Sequence, residues 1–515
     1  MIPFPTVWMT LLVFLCSHFD LSFSNYTLQR ETYKKPNVII ILADDMGWGD
    51  LGANMQLQTT NTPNLDKMAS KGLRLLDFHS AASTCSPSRA SLLTGRLGIR
   101  NGVKHNFATT SLGGLPLNET TLADVLNASG YITGLIGKWH LGHHGRYHPN
   151  SRGFHYYYGI PYSNDMGCTD TAGYNLPPCS SCPQKESLSC TRGGCNMKLA
   201  LPLMENSRIV EQPVDLNSLV RKYADRATNF IRAARAQEMP YFLYMALAHM
   251  HVPLSVAPTK TPYNDSMQEM DWLIGQIIAS TDHNTLLWFT GDNGPWAEKC
   301  EFAGSVGPYV GAWQSTQGGS AAKQTTWEGG HRVPAIVYWP GMISENRTSS
   351  ALLSMLDIFP TIVTLANSTL PANRQFDGID ISAILFGEAH EGHQILYHPN
   401  SGAAGKFGDI EAMRLGPYKA FYTTGGALGC DGKIGPELHH NPPLLFNIER
   451  DPREEMPIEK SSAEYHQVLP LIEEAIIFIH ENVHKDNVST ADYSQDMTAI
   501  ICCNPKNIVC RCTEQ

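Results

Sequence analysis

The chain has 515 residues, 42% of them hydrophobic and 17% charged, with a formal charge of −10. That length is enough for about two domains and a large buried core, and the low charged fraction excludes a disordered chain. The acidic balance excludes a nucleic-acid binder that works through a broad basic surface.

Residues 7–16 form a short apolar run, with small residues following around Ser22 and Ser24. This pattern predicts a secretory signal peptide over residues 1–24, cleaved near residue 24. Asn-x-Ser/Thr sequons follow at Asn25, Asn118, Asn127, Asn264, Asn346, Asn367 and Asn487. Together they point to a glycosylated protein on an oxidising route. No later run reaches the roughly 18 apolar residues of a spanning helix, so no stable membrane insertion is expected.

From Asn37–Ala43 onward, near-continuous aliphatic runs recur at Tyr131–Ile136, Tyr241–Leu247, Thr285–Thr290 and Ala335–Trp339. Helix-length patterns lie between them at Thr120–Ala128, Leu219–Ala236 and Ser266–Ile278. Such alternation predicts an α/β fold with a large, mostly parallel central sheet flanked by helices. Beyond residue 385 the texture changes to short strands, Gln394–His398, Ala412–Leu415, Lys419–Thr423 and Leu444–Ile448, then a helix at Glu464–Asn482. The expected organisation is a catalytic α/β domain over 25–385 and a smaller antiparallel-sheet subdomain over 386–515 with a Cys-rich tail.

Ligands of parallel sheets bind beyond the carboxyl ends of the strands. Here the runs end in Asp44-Asp45, Gly-Lys138-Trp-His140, His249-Met-His251 and Gly-Asp292-Asn293-Gly. One such pair would read as a helix cap; four at one edge predict a shared site. Asp44, Asp45, Asp292 and Asn293 offer only oxygen, with no Cys or His adjoining them, which favours Ca²⁺ or Mg²⁺ over Zn²⁺. In Thr84-Cys85-Ser86-Pro87-Ser88-Arg89, Ser86 is the predicted N-cap, Pro87 the first helical residue and Gly95 the stop. Cys85 would then face a helix N-terminus, with Arg89 one turn in, and its thiol pKa is expected to fall.

The run Cys85-x-Pro-Ser-Arg-x-x-x-Leu-Thr-Gly-Arg resembles the signature of the sulfatase family. Further blocks resemble that family in order, including Ala-Asp44-Asp45-Met-Gly-Trp-Gly-Asp, Gly-Lys138-Trp-His140-Leu-Gly, the His251 strand, Gly-Asp292-Asn293-Gly and Lys323-Gln-Thr-Thr-Trp-Glu-Gly-Gly. Coverage runs from about residue 36 into the tail. The resemblance implies an alkaline-phosphatase/sulfatase-like fold and a sulfuric ester hydrolase of the arylsulfatase type. It implies that a formylglycine-generating enzyme converts Cys85 to Cα-formylglycine, whose hydrate attacks sulfur and then expels sulfate through its second hydroxyl. Carried over by position, Arg89 supports that nucleophile, and one Ca²⁺ is held by Asp44, Asp45, Asp292 and Asn293 in contact with residue 85. Lys138, Lys323 and Ser163 contact the sulfate, His140 removes a proton for elimination, and His251, with Lys323, protonates the departing alcohol.

The implied substrates are aryl sulfates or a sulfated glycan, more finely the 3-O-sulfate of glucosamine in heparan sulfate, cleaved at acidic pH. The implied location is the lysosome, reached through glycan tagging, with an extracellular location as alternative. Two other functions remain open on the residues alone. A phosphomonoesterase or phosphodiesterase of the alkaline-phosphatase type would use Ser or Thr and two zinc ions, and an inactive glycan-binding relative would have lost Cys85 or a metal Asp. Protonation of the 20 histidines would offset the −10 charge in an acidic compartment. His249, His143, His144 and His148 read as core or exposed histidines.

Of the 13 cysteines, Cys16 leaves with the signal peptide and Cys85 is converted. Cys168, Cys179, Cys182, Cys190 and Cys195 cluster in one loop, and Cys502, Cys503, Cys510 and Cys512 lie in the tail. In a secreted chain the Cys179-Ser-Ser-Cys182 spacing reads as disulfide rather than redox or zinc chemistry. The family resemblance implies two bridges in the loop, two in the tail, and Cys300 to Cys430, which leaves one loop thiol free.

Overall fold

The run Asn-Val-Ile-Ile-Ile-Leu-Ala has no polar face because it is covered on both sides. In the computed structural model, which describes residues 34–55, 61–171, 173–184, 196–254, 256 and 261–512, it is strand β1 (Asn37–Ala43), buried throughout. Val38, Ile40 and Leu42 pack into one hydrophobic layer, and Ile39, Ile41 and Ala43 into the other. A strand between two helical layers needs an apolar side chain at every position.

The other strands before residue 212 are β2 (Leu73–Leu75), β3 (Phe78–His79), β4 (Ile132–Gly137), β5 (Tyr156–Gly159), β6 (Leu203–Glu205) and β7 (Arg208–Glu211). After them come β8 (Tyr241–Ala246), β9 (Thr285–Gly291), β10 (Ala335–Tyr338), β11 (Arg347–Ser349) and β12 (Leu353–Ser354). Ten of these form one sheet in the order β11-β2-β10-β9-β1-β8-β4-β5-β6-β7, while β3 and β12 pair separately. The central strands β9, β1, β8, β4 and β5 are parallel, and β10 and β6 join them antiparallel. Helices Cys85–Thr94, Leu122–Ala128 and Ile358–Leu365 cover one face. Helices Pro63–Ser70, Leu219–Ala236 and Pro262–Ser280 cover the other. The α/β expectation therefore holds.

A second sheet, β13 (Ile395–Pro399), β14 (Ile410–Leu415), β15 (Tyr418–Thr424) and β16 (Leu438–Asn447), is antiparallel. Helix Ala463–His484 packs on one face of it through Tyr465, Val468, Ile472 and Ala475. Its other face meets the segment 321–331, where Trp327 lies 4.1 Å from the Phe421 ring. Beneath that contact, buried Lys419 pairs with Glu328 at 2.8 Å and with Glu454 at 3.3 Å. The small sheet thereby braces the segment that carries Lys323.

Bridges join Cys168 to Cys182, Cys300 to Cys430, Cys502 to Cys510 and Cys503 to Cys512. Cys179 is also disulfide-bonded, and Cys85 is a free, buried thiol. The predicted signal peptide, Cys16, Asn25, Cys190 and Cys195 lie outside the described residues. The other six sequon asparagines are all exposed. No described helix is long and apolar enough to cross a membrane.

Glu411 of β14 is buried, and burial, reinforced by Glu437 and Asp409, pushes its carboxyl from 4.5 up to about 9. The folded state thus holds a proton that the unfolded chain releases. This contribution to stability is complete below about pH 4.5 and is lost as pH rises through about 9. Glu411→Gln is expected to flatten the fall of the thermal midpoint between pH 5 and pH 8. A pH profile parallel to that of the unsubstituted protein removes this assignment.

Candidate active site

The parallel register delivers the polar residues to one edge. Ala43 pairs with Gly291, Leu42 with Ala246, and Ala246 with Gly137, so three further strands end beside β1. Backbone bonds extend the alignment: Asp292 N donates to Ala43 O (2.9 Å), Lys138 N to Ala246 O (2.7 Å) and Asp44 N to His249 O (2.6 Å). Gly137 makes this approach possible. Its φ is +123°, and a Cβ there would stand 1.9 Å from Ala246 O.

Helix Cys85–Thr94 is buried along its whole length and ends at Gly95, whose φ of 67° is left-handed. Its start corrects the sequence reading. The helix begins at Cys85 with Thr84 extended before it, so Ser86 is not the N-cap and Pro87 is the third helical residue. Ser86 is committed elsewhere: its Oγ donates to His140 O (2.7 Å) and its N–H to Asn106 Oδ1 (2.8 Å). Pro87 costs no helical hydrogen bond, because the N–H groups of the first turn have no intrahelical acceptor.

Around Cys85, three carboxylates are matched by three cations. Arg89 donates from Nε to Asp292 Oδ2 (3.0 Å), from Nη2 to Asp44 Oδ2 (3.1 Å) and from Nη1 to Lys138 O (2.9 Å). It reaches the carboxylates rather than the thiol. Lys138 Nζ lies 2.5 Å from Asp44 Oδ2, and Lys323 Nζ lies 2.5 Å from Asp45 Oδ1 and 3.7 Å from Cys85 Sγ. Burial opposes ionisation of Asp44, but the charges of Lys138 and Arg89 outweigh it and hold its carboxyl well below the usual range. Burial and the Asp44 charge push Asp292 up to about 6. The expected fall of the Cys85 thiol pKa is overturned: burial, with Asp44 3.5 Å from the sulfur, pushes it up to about 12. Desolvation of a fully enclosed thiol exceeds what the helix terminus and the two lysines return.

Asn293 Nδ2 donates to Asp45 Oδ1 (2.7 Å). Two buried oxygens, Asp45 Oδ2 and Asn293 Oδ1, accept no hydrogen bond. Ligand atoms of Asp44, Asp45, Cys85 and His251 lie within 4.8 Å of one another. The donors that no backbone or side-chain group satisfies are thus hard oxygens, which fit a divalent cation such as Ca²⁺. The sequence reading placed His251 at the same sheet edge but not among the metal ligands; the fold brings its Nε2 to 3.7 Å from Asp45 Oδ2.

The remaining candidates converge on the same place. Ser163 Oγ accepts from Lys138 Nζ (3.2 Å) and lies 3.5 Å from His251 Nε2. His140 Nε2 lies 3.0 Å from Phe107 O, which can only accept, so Nε2 carries the proton and the buried Nδ1 has no partner. By the same reasoning His251 Nδ1 donates to Val252 O (2.6 Å), leaving Nε2 toward the site. Burial, followed by the Lys138 charge, holds His140 well below its ordinary value. Asp45, His140 and Gln324 adopt left-handed φ values of 58°, 56° and 76°, a conformation that surrounding contacts must enforce. A cavity opens over Cys85, lined by His140, Ser163, His251 and Lys323. It is also lined by Asn106, Asp165, Met166, Trp296 and Gln324, which the sequence reading did not single out as site residues. Gln324 stood inside the quoted Lys323 motif; Trp296, three residues beyond Asn293, and Asn106 and Asp165 had no signal beyond proximity to a motif.

The second acidic cluster, Asp77, His79 and Glu328, is already matched by Arg332, Arg414 and Lys419 and is an ion-pair network. The expected histidine-driven charge reversal is also corrected. Ten histidines are held below their ordinary value chiefly by burial, with His143, His148 and His249 at about 4. Burial thus opposes their charging together in a mildly acidic compartment.

Known proteins resemble the chain that carries this strand-edge site. A family model described as Sulfatase matches residues 36–368, and one described as the C-terminal region of aryl-sulfatase matches 391–512. The chain belongs to the sulfatase family and is a sulfuric ester hydrolase. It is 62% identical to Homo sapiens arylsulfatase G over 490 residues, covering 93% of each chain, and 61% identical to the Mus musculus protein over 489 residues, again 93% of each. Human arylsulfatase A is 38% identical over 444 residues, covering 82% of this chain and 83% of the relative. The crystal structure of PsFucS1 sulfatase from Pseudoalteromonas sp. superposes with a TM-score of 0.74 at 26% identity, covering 90% of this chain and 94% of that one.

The geometry makes unconverted Cys85 inert. With its pKa near 12, the thiol at pH 8 carries roughly a thousandfold less thiolate than an ordinary cysteine. Iodoacetamide is expected to label it at least a hundredfold more slowly in the native protein than after denaturation. Equal rates in the two states contradict the enclosed thiol.

Proposed function

We propose that this sulfatase acts through a Cα-formylglycine formed at Cys85, with one Ca²⁺ held by Asp44, Asp45, Asp292 and Asn293. The supporting observation is the placement of Cys85 at the start of a buried helix, between Asp44 and Lys323, beside two oxygens that accept no hydrogen bond. The hydrate of an aldehyde at position 85 supplies a nucleophilic oxygen and a second hydroxyl through which sulfate is expelled. A divalent cation supplies Lewis acidity and turns a balanced set of three carboxylates and three cations into a net positive site. Because Cys85 is 1% exposed, a formylglycine-generating enzyme has to act before the fold closes.

The chain's own groups account for the remaining chemistry. Lys138 Nζ, Lys323 Nζ and Ser163 Oγ bind sulfate oxygens, and Arg89 orients Asp44 and Asp292 without touching the ester. His140 takes a proton at Nδ1, the nitrogen left free by the bond to Phe107. His251 Nε2 and the Lys323 ammonium face the departing alcohol; the proton comes from His251 once its ring has taken a second proton at Nε2, with Lys323 beside it.

The substrate proposed is a sulfate ester of glucosamine, the 3-O-sulfate in heparan sulfate, on the strength of the similarity to arylsulfatase G. The location proposed is the lysosome, with residues 1–24 as a signal peptide, 25–385 as the catalytic domain and 386–515 as the C-terminal subdomain. Exposure of the six described sequon asparagines and the disulfides supports that route. So do Asp50 and Glu411, which burial pushes up to about 6 and about 9, and which are therefore uncharged at acidic pH.

Mass spectrometry of the peptide spanning Cys85 is expected to show sulfur replaced by an aldehyde oxygen; an intact thiol throughout fully active enzyme would falsify the nucleophile. Cys85→Ala is expected to lower hydrolysis of a chromogenic aryl sulfate by at least about a thousandfold, with little change in thermal midpoint. Dialysis against a calcium chelator is expected to lower both kcat and the thermal midpoint, each restored by Ca²⁺. Indifference to the chelator counts against the metal, and equal release of sulfate from 6-O- and 3-O-sulfated oligosaccharides counts against the substrate.

A further inference from the structure

Among the residues lining the Cys85 cavity, Asp165 is the only carboxylate. It sits in the single turn Asn164–Met166 that follows Ser163. Its Oδ1 is buried and accepts no hydrogen bond, and no Lys or Arg among the described residues pairs with it. A carboxylate is a poor neighbour for a sulfate, so its place here needs a separate reason. A buried acceptor without a donor is unfavourable until something supplies one. The sulfate cannot, because it offers only acceptors. The rest of the substrate can.

Another lining residue supplies the complementary surface. The Trp296 ring lies 5.4 Å from the His251 ring and is fixed by the Nε1 bond to Glu298 (3.1 Å). The ammonium groups of Lys299 and Lys323 stand 4.4 and 4.7 Å from its centroid. Beside the proposed proton donor, such an indole can contact the alcohol portion of the ester. It accepts a flat aryl ring or the C–H face of a sugar alike, so it does not choose between them. Asp165 can choose, because an aryl sulfate without ring substituents has no donor to offer.

We propose that Asp165 sets the class of alcohol released: it accepts a hydrogen bond from an N–H or hydroxyl on the sugar carbon beside the sulfate ester, and so favours sugar sulfates over plain aryl sulfates. This rests on the sugar-sulfate reading above. A site built to bond a substrate OH or NH discriminates strongly against an analogue that lacks it.

The test compares kcat/KM for glucosamine 3-O-sulfate, glucose 3-O-sulfate and 4-methylumbelliferyl sulfate in the unsubstituted enzyme, Asp165→Ala and Asp165→Asn. Asp165→Ala is expected to lower the sugar-to-aryl ratio by about tenfold or more, and Asp165→Asn, which keeps an acceptor oxygen, by less. A larger loss for the amino sugar assigns the donor to N–H, and equal losses for the two sugars assign it to hydroxyl. An unchanged ratio in both variants, or a uniform loss on all three esters, overturns the role of Asp165 alone. An unsubstituted enzyme that cleaves the aryl ester and neither sugar ester overturns the sugar reading and this inference together.

Discussion

The site depends on keeping three carboxylates together where water does not reach them. Asp44, Asp45 and Asp292 are each at most 3% exposed, and buried like charges at this spacing would drive one another to protonate or drive the fold apart. Arg89, Lys138 and Lys323 oppose that, each bound to one or two of the acids, and Asp292 is still pushed upward, to about 6. The helix that carries Arg89 also carries Cys85, so the cation that neutralises the acids and the residue proposed to react with sulfate share one rigid element. Oxygens left over from this balance, on Asp45 and Asn293, are the ones a hard cation can use.

The smaller sheet belongs to the same arrangement. Lys323 is in a segment without regular structure of its own, and such a segment would not hold an ammonium group 2.5 Å from Asp45 unaided. Trp327 and Glu328, at the start of the short helix Glu328–His331 that follows it, are clamped by Phe421 and Lys419 of β15. Ala403 N donates to Gln324 O (2.9 Å), and Gln324 N donates to Ser83 O (2.9 Å), two residues before Cys85. Separation of the two sheets would therefore loosen both the cysteine and the lysine beside it. The Cys300–Cys430 bridge ties the loop after Trp296 to the same subdomain.

Chemical character and position along the chain were legible in the sequence wherever local physics governs. Unbroken aliphatic runs announced strands buried on both faces, and polar residues after each run announced the sheet edge where a ligand binds. The alternation of strands and helices, and then its end near residue 385, announced a large α/β sheet followed by a smaller antiparallel one. That Cys85 and Arg89 lie one helical turn apart was legible because helical periodicity is local; that Arg89 turns to Asp44 and Asp292 instead of the thiol was not.

What the tertiary structure decided was every property that depends on neighbours distant in the chain. Burial reversed the expected direction for the Cys85 thiol and lowered the pKa of ten histidines, since desolvation is a sum over surrounding atoms that no local pattern reports. Ser86 looked like a cap until the fold offered His140 O and Asn106 as its partners. His251 came within 3.7 Å of Asp45, and Asp165 and Trp296, each only a few residues from a predicted site residue, came to line one cavity. Sequence alone determined the strand edge where the site sits, because that follows from residue type and periodicity, and its motifs carried the resemblance to the family. The charge state, the enclosure of the thiol and the walls that meet the substrate were settled only by packing, because they arise from groups hundreds of residues apart brought within a few ångströms.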